Sequence, residues 1–151
     1  MPVDVCYSFY LTPRGSFESQ SERNPNGWGV VWLEDSKWHL YKEAMPLYMS
    51  FKAKSLIGKA VRGRIIISHV RYASVGSTCL ENTHPWTYRG WAFAHNGTIR
   101  RSKIVEMLDG TFRNDLEGET DSEALLHLVV QETLRLGNPI GGIKAAISRI
   151  V

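Results

Sequence analysis

Residues 64–73 read Arg64-Ile65-Ile66-Ile67-Ser68-His69-Val70-Arg71-Tyr72-Ala73. Three consecutive isoleucines and a nearby valine favour the extended, pleated backbone, because β-branching restricts χ1 and packs well on a sheet. A strand is therefore predicted over 64–72. Its apolar residues fall on both faces instead of alternating, so it is expected to be a buried central strand. The stretch 91–95 has the same character and predicts a second buried strand, closed by Asn96-Gly97. Two buried strands, each delivering polar residues at one end, define the centre from which the rest of the chain is read.

Upstream, residues 12–29 are rich in Thr, Pro, Arg, Gly, Ser and Asn and end in Asn24-Pro25-Asn26-Gly27. That is loop and turn chemistry. Before it, 4–11 is an apolar run too short for periodicity to separate helix from strand. After it, 28–33 is β-prone, Glu34-Asp35-Ser36-Lys37 reads as a turn, and 38–41 reads as a returning strand. A hairpin is predicted. Phe51, Ala53, Leu56, Ile57 and Ala60 share one face of a predicted helix over 50–61, ended by Gly63. Ile99, Ile104, Val105 and Leu108 predict a helix over 99–108. A longer helix is predicted over 120–136, with Thr120 as N-cap and Glu123 in the capping-box position. Leu125, Leu126, Leu128, Val129 and Leu134 supply its core face, and Gly137-Asn138-Pro139 stops it. Residues 142–151 read as the start of another helix. Strands come first and helices after, with no internal repeat, which predicts α+β rather than regular βαβ winding.

The chain has 151 residues, 43% of them hydrophobic and 22% charged. That supports one self-sufficient core and excludes a disordered chain. The apolar runs fall far short of the roughly 18–20 residues a membrane-crossing helix needs. The start shows no basic segment leading into an apolar one, as a signal peptide would. Two cysteines, Cys6 and Cys79, cannot build a disulfide framework. A cytoplasmic setting without membrane contact is expected. Lys and Arg number 18 against 15 Asp and Glu, for a net charge of +3. These basic residues are spread along the chain and not interleaved with aromatics, so nucleic acid is not an expected partner. His69, His84, His95 and His127 match no zinc spacing, and neither metal nor cofactor is expected.

The chemistry-bearing residues crowd the predicted strand and helix ends. Arg71 at a strand end can pair bidentately with a carboxylate, or simply cap a backbone carbonyl or bridge a surface acid. Asn96-Gly97 offers a side-chain amide and a following N–H, the two donors of an oxyanion hole. The same dipeptide commonly makes a type I′ turn, and Asn96-Gly97-Thr98 matches a glycosylation sequon. Asp121 in the first turn of a helix can accept from an ammonium, or serve only the macrodipole. Arg71 and Asp121 together read as a clamp for the two charged ends of an amino acid.

Five segments stand in order: Asn26-Gly27-Trp28-Gly29, His69-Val70-Arg71-Tyr72-Ala73, Glu81-Asn82-Thr83-His84-Pro85, Ala94-His95-Asn96-Gly97 and Gly118-Glu119-Thr120-Asp121-Ser122-Glu123. This set resembles the class II glutamine amidotransferases, N-terminal-nucleophile hydrolases built as an αββα sandwich. The single-domain branch is the most similar, through its Gly-Trp-Gly and Glu-Asn-Thr-His-Pro segments. The resemblance covers about residues 2–136. It implies hydrolysis of the glutamine side-chain amide to glutamate and ammonia, with glutamine or glutamate as the small-molecule ligand. Arg71 would bind the α-carboxylate and Asp121 the α-ammonium. Asn96 and the Gly97 N–H would form the oxyanion hole. Trp28, Gly29, Thr83 and His84 would line or support the pocket. A homodimer or a synthase partner is compatible with it, and the sequence identifies neither.

The same resemblance implies departures. The family nucleophile is a cysteine at the first position of the mature chain, its own α-amino group acting as base. This chain begins Met1-Pro2-Val3-Asp4. The reading adopted is that the family's opening strand, nucleophile included, and its C-terminal part are missing, leaving 1–151 as a partial amidotransferase domain. Cys6 is then a small packing residue. In the alternative, removal of residues 1–5 frees Cys6 as the nucleophile. Cys79 is mid-chain and has no free α-amine. Asn26 stands where the family commonly has Asp. Two functions follow as expectations: a glutamine amidotransferase whose nucleophile is absent from this chain, or a catalytically silent amino-acid-binding or interaction module on the same scaffold.

Overall fold

The computed structural model describes residues 9–10 and 15–151. Cys6, and all of the apolar run 4–11 except Phe9 and Tyr10, lie outside them. The fold is organised around strand β1, Trp28–Glu34. Side chains alternate along a strand, so Trp28, Val30 and Trp32 face one way and Gly29, Val31 and Leu33 the other. β1 pairs antiparallel with β2, Lys37–Glu43, placing Trp28 opposite Glu43 and Glu34 opposite Lys37. Asp35 and Ser36 join them with φ of 48° and 62°, the left-handed pair of a two-residue type I′ turn. The predicted hairpin is present, with longer strands than predicted.

β3, Ile66–Val70, pairs antiparallel with the other side of β1, giving the order β2-β1-β3. This corrects the expectation for 64–72. Among the described residues β3 is an edge strand, half-buried along its length, and β1 holds the centre. A β-branched run reports an extended backbone, not how many strands flank it. The face of β3 carrying Ile66 and Val70 packs on the core, while the face carrying His69 opens toward the cavity described below.

On the Trp28 side lies a layer of helices. Helix α2, Ala53–Lys59, contributes Ala53 and Ile57, and a short 3-10 turn contributes Leu47; with Phe9 and Val61 they close the first core. Helix α1, Phe17–Ser21, joins them, its start capped by Ser16, whose Oγ accepts the Ser19 N–H. It falls inside the stretch expected to be loop. Phe17 anchors it by stacking on Phe9 at 5.1 Å.

On the opposite side, Gly29 lets a second sheet approach closely. A Cβ there would collide with the carbonyl oxygen of His84. That sheet pairs β4, Trp86–Tyr88, with β5, Trp91–Phe93. The strand predicted over 91–95 is therefore shorter than expected, half-buried, and one of two. Behind it runs α5, Asp121–Leu136, with Leu126 and Val130 against Trp86. Leu125, Leu128 and Val129 pack on Ile104 of α3, Arg101–Met107, and Ala146 of α6, Pro139–Ile150. The short helix α4, Gly110–Asn114, lies between α3 and α5 in sequence. The layers run helix, sheet, sheet, helix.

The ends of α5 follow their sequence signals. Thr120 Oγ accepts the Glu123 N–H at 3.2 Å. The reciprocal half of the capping box does not form. The Glu123 carboxylate instead accepts the N–H groups of Glu117 and Gly118, both at 2.8 Å. Gly137 ends the helix in the left-handed region, φ 63°. Leu134, predicted on the core face, is 60% exposed. α6 begins at Pro139, not 142, because Pro is well placed in a helical first turn and Asn138 caps it. Among the described residues no helix is long and apolar enough to cross a membrane.

Candidate active site

The C-terminal end of β3, the segment after β5 and the start of α5 enclose a cavity of about 310 Å³. Its wall includes His69, Arg71, His84, Asn96, Gly97 and Asp121. Residues 25 to 50 positions apart in sequence meet here because β1 pairs with β3 and α5 packs behind β4 and β5.

Arg71 is 2% exposed. Its Nη1 donates to the Ser77 carbonyl at 3.0 Å and its Nη2 to the Val75 carbonyl at 2.7 Å. Of the sequence readings of Arg71, these contacts match the carbonyl cap. Longer contacts run from Nη1 to the Asn26 carbonyl at 3.5 Å and from Nη2 to the Gly76 carbonyl at 3.4 Å, so of the five N–H groups only Nε–H is left without a carbonyl. Its backbone is tied to the loop before β1: the Arg71 N–H donates to the Gly27 carbonyl at 2.8 Å, and the Asn26 N–H to the Arg71 carbonyl at 2.9 Å. Asn26 Oδ1 also accepts the Ala73 N–H at 3.0 Å, an acceptor role that an Asp would share.

Asp121 occupies the first turn of α5, where the helix dipole favours a carboxylate. One oxygen accepts the Ile99 N–H at 2.6 Å, fixing the chain just after Gly97. The other receives only a long contact from the Ser122 hydroxyl, at 3.4 Å. Asn96 and Gly97 follow β5 and close no hairpin, so they do not form a type I′ turn. Gly97 has φ 149°, and a Cβ there would stand 2.8 Å from His95 Nε2. Asn96 Oδ1 lies 3.0 Å from His69 Nε2.

Of the four residues expected to line or support the pocket, His84 lines it and three stand behind it. Trp28 is fully buried, its Nε1 donating to Glu43 Oε2 at 2.9 Å. Thr83 is fully buried, its hydroxyl donating to the Cys79 carbonyl at 2.7 Å. Gly29 sits beneath the His84 carbonyl. Cys79 is not in the wall, and Cys6 is outside the described residues.

The electrostatics favour neutral imidazoles. His84 is buried with neither ring nitrogen partnered, and its ring stacks on His69 at 4.1 Å. Burial foremost, then the positive charges of His69, Arg71, His95 and Lys42, lower its pKa to about 2. Burial also lowers the His69 pKa, against a raising hydrogen bond to Asn96. Lys42 reaches the inter-sheet space with its ammonium 5.8 Å from the centre of the Trp86 ring. Burial lowers its pKa, opposed by Glu117, Glu123 and Glu81. Among the described residues no three His, Cys, Asp or Glu side chains are grouped to hold a metal ion.

Asn82, inside the segment 81–85, carries no role that its residue type predicts. It is fully buried and rivets two rims of the cavity together. Its Oδ1 accepts the Glu119 N–H at 2.7 Å, and its Nδ2 donates to the Ser77 carbonyl at 3.0 Å. Glu119 closes the loop by accepting from Ser77, and that hydrogen bonding holds its carboxyl below the usual pKa. Ser77 is five residues away but Glu119 is 37, so no local signal exposes the role.

A family model for class-II glutamine amidotransferases matches residues 1–141. YafJ of Escherichia coli (strain K12), whose name assigns it to the glutamine amidotransferases, is 35% identical over 140 residues, covering 87% of this chain and 52% of YafJ. The amidophosphoribosyltransferase of Methanocaldococcus jannaschii is 30% identical over 137 residues, covering 85% of this chain and 28% of the enzyme. The chain thus spans about half or less of the length of these curated relatives. A solved glutamine aminotransferase class-II domain protein from Silicibacter pomeroyi superposes with a TM-score of 0.64 at 26% identity, covering 83% of this chain and 60% of that one. The likeness extends to the fold, and the chain belongs to the class II glutamine amidotransferase family.

Proposed function

We propose that the cavity binds glutamine and stabilises the tetrahedral intermediate of its side-chain amide hydrolysis, which yields glutamate and ammonia. The convergence of Arg71, Asp121, Asn96 and Gly97 on one cavity carries this reading. Arg71 pairs with the α-carboxylate by exchanging its two long carbonyl contacts for it while the two short ones stay, and the Asp121 oxygen not bonded to Ile99 accepts from the α-ammonium. The amide carbon then lies toward Asn96 Nδ2 and the Gly97 N–H. These donors stabilise negative charge as it develops on the amide oxygen, an effect typically of about 10²–10³-fold per donor in rate. Attack requires a thiol with a free α-amine as its base. Cys6 freed by processing is one source of that thiol, and a residue beyond this sequence is the other.

Calorimetry with glutamine and glutamate, paired with an assay of glutamate release, tests the reading on the wild type and on Arg71→Ala and Cys6→Ala. Binding that Arg71→Ala abolishes supports the clamp. Turnover lost in Cys6→Ala makes Cys6 the nucleophile. Binding without turnover identifies an amino-acid-binding module. A wild type that binds neither ligand refutes the proposal.

A further inference from the structure

We infer that His69 is a positioning residue for the oxyanion hole: its Nε2–H holds the Asn96 side-chain oxygen and so turns the Asn96 amide nitrogen toward the cavity. This rests on the function proposed above and assigns a role to a histidine otherwise without one. A side-chain amide has a donor end and an acceptor end, and only the donor end can stabilise an oxyanion. Something must therefore occupy the oxygen. His69 Nε2 is 3.0 Å from Asn96 Oδ1, and a carbonyl oxygen can only accept, so Nε2 carries the proton.

The other ring nitrogen agrees with that tautomer. His69 Nδ1 is buried without a partner. The opposite tautomer would bury an unpaired N–H there and leave Asn96 free to turn its oxygen to the cavity. A buried unsatisfied donor costs about 1–3 kcal/mol. The desolvation that disfavours charge on His69, with Arg71 nearby, keeps the ring neutral and the tautomer defined.

The ring cannot rotate freely either. It stacks on His84 at 4.1 Å, and His84 in turn packs on Trp86 at 4.2 Å. Trp86 is fixed through Nε1, which donates to the Glu81 carbonyl at 2.9 Å. The second donor of the hole has its own imidazole. His95 fills the space a Cβ on Gly97 would need and is held by Ser122 Oγ, 3.0 Å from its Nδ1. Each of the two proposed oxyanion donors thus stands beside a separate histidine.

Imidazole ¹⁵N spectra of the full chain test this without needing turnover. His69 is expected as the Nε2–H tautomer, with its Nε2 resonance moving in Asn96→Ala. An Nδ1–H tautomer, or an Nε2 resonance indifferent to Asn96→Ala, overturns the inference. Kinetics give the second readout. His69→Phe keeps a ring against His84 and removes only the donor. It should lower kcat for glutamine about 10²-fold with KM changed less than about threefold. His69→Gln, which restores a donor, should recover most of that loss. An unchanged kcat in His69→Phe overturns the inference. A wild type that neither binds nor hydrolyses glutamine refutes the proposed function instead, and the tautomer then decides the His69–Asn96 contact alone.

Discussion

Lowering the pH from about 7 to about 5 should destabilise this protein through His84 in particular. The side chain is 6% exposed, with both ring nitrogens unpartnered. Burial, then the neighbouring positive charges, lower its pKa from 6.5 to about 2. In the unfolded chain the same imidazole titrates near about 6.5. Above that value His84 is neutral in both states and contributes no pH dependence. Between the two values the unfolded chain binds a proton that the native protein refuses, so stability falls as pH falls. At about pH 5 the unfolded imidazole sits about 1.5 units below its pKa, and each unit is worth about 1.4 kcal/mol, giving a loss of about 2 kcal/mol. Urea unfolding followed by tryptophan fluorescence measures it, comparing wild type with His84→Met, which has similar bulk and no titration. Wild type should lose about 2 kcal/mol more than the variant between the two pH values. Parallel losses would refute the picture of a buried, neutral, unpartnered imidazole.

Asn82→Ala removes two short hydrogen bonds between the cavity rims and should cost about 2 kcal/mol, lowering the melting temperature by about 5 °C. An unchanged melting curve would mean the rims are held by other contacts. Thr120→Ala loses the α5 N-cap and should cost about 1 kcal/mol by urea titration, with Thr120→Ser close to wild type. Gly97→Ala places a Cβ against His95 and moves an oxyanion donor, so glutamine hydrolysis should fall about 10²-fold while glutamate binding at Arg71 and Asp121 persists. Full turnover in that variant would remove the Gly97 N–H from the mechanism.

What could be read from the sequence was what local chemistry dictates. The β1–β2 hairpin follows from Asp35-Ser36 between β-prone runs, and α5 begins at Thr120 and ends at Gly137 where its capping signals stand. What depends on partners distant in sequence was not legible. The isoleucines of β3 do not reveal that, among the described residues, only one of its flanks is paired. Phe17 does not reveal Phe9, and without that contact α1 looks like loop. Glu123 three residues past Thr120 suggested a capping box, but the carboxylate found stronger claimants in Glu117 and Gly118. The site was legible as residue types at strand and helix ends. The cavity itself, and the Asn82 rivet across it, required the sheet pairing to exist first.

The way Arg71 is anchored has a consequence for how this site can diversify. Its guanidinium grips carbonyl oxygens of residues 75 and 77, not their side chains. Every amino acid offers the same carbonyl, so the grip is indifferent to what the loop displays. Tyr72, Ser74 and Val75 on the cavity rim can therefore be exchanged without loosening the cation. The part of the site proposed to recognise an amino acid backbone is mechanically insulated from the part that meets whatever else enters. A loop so held can alter ligand preference through its side chains while the charge at its base stays where it is.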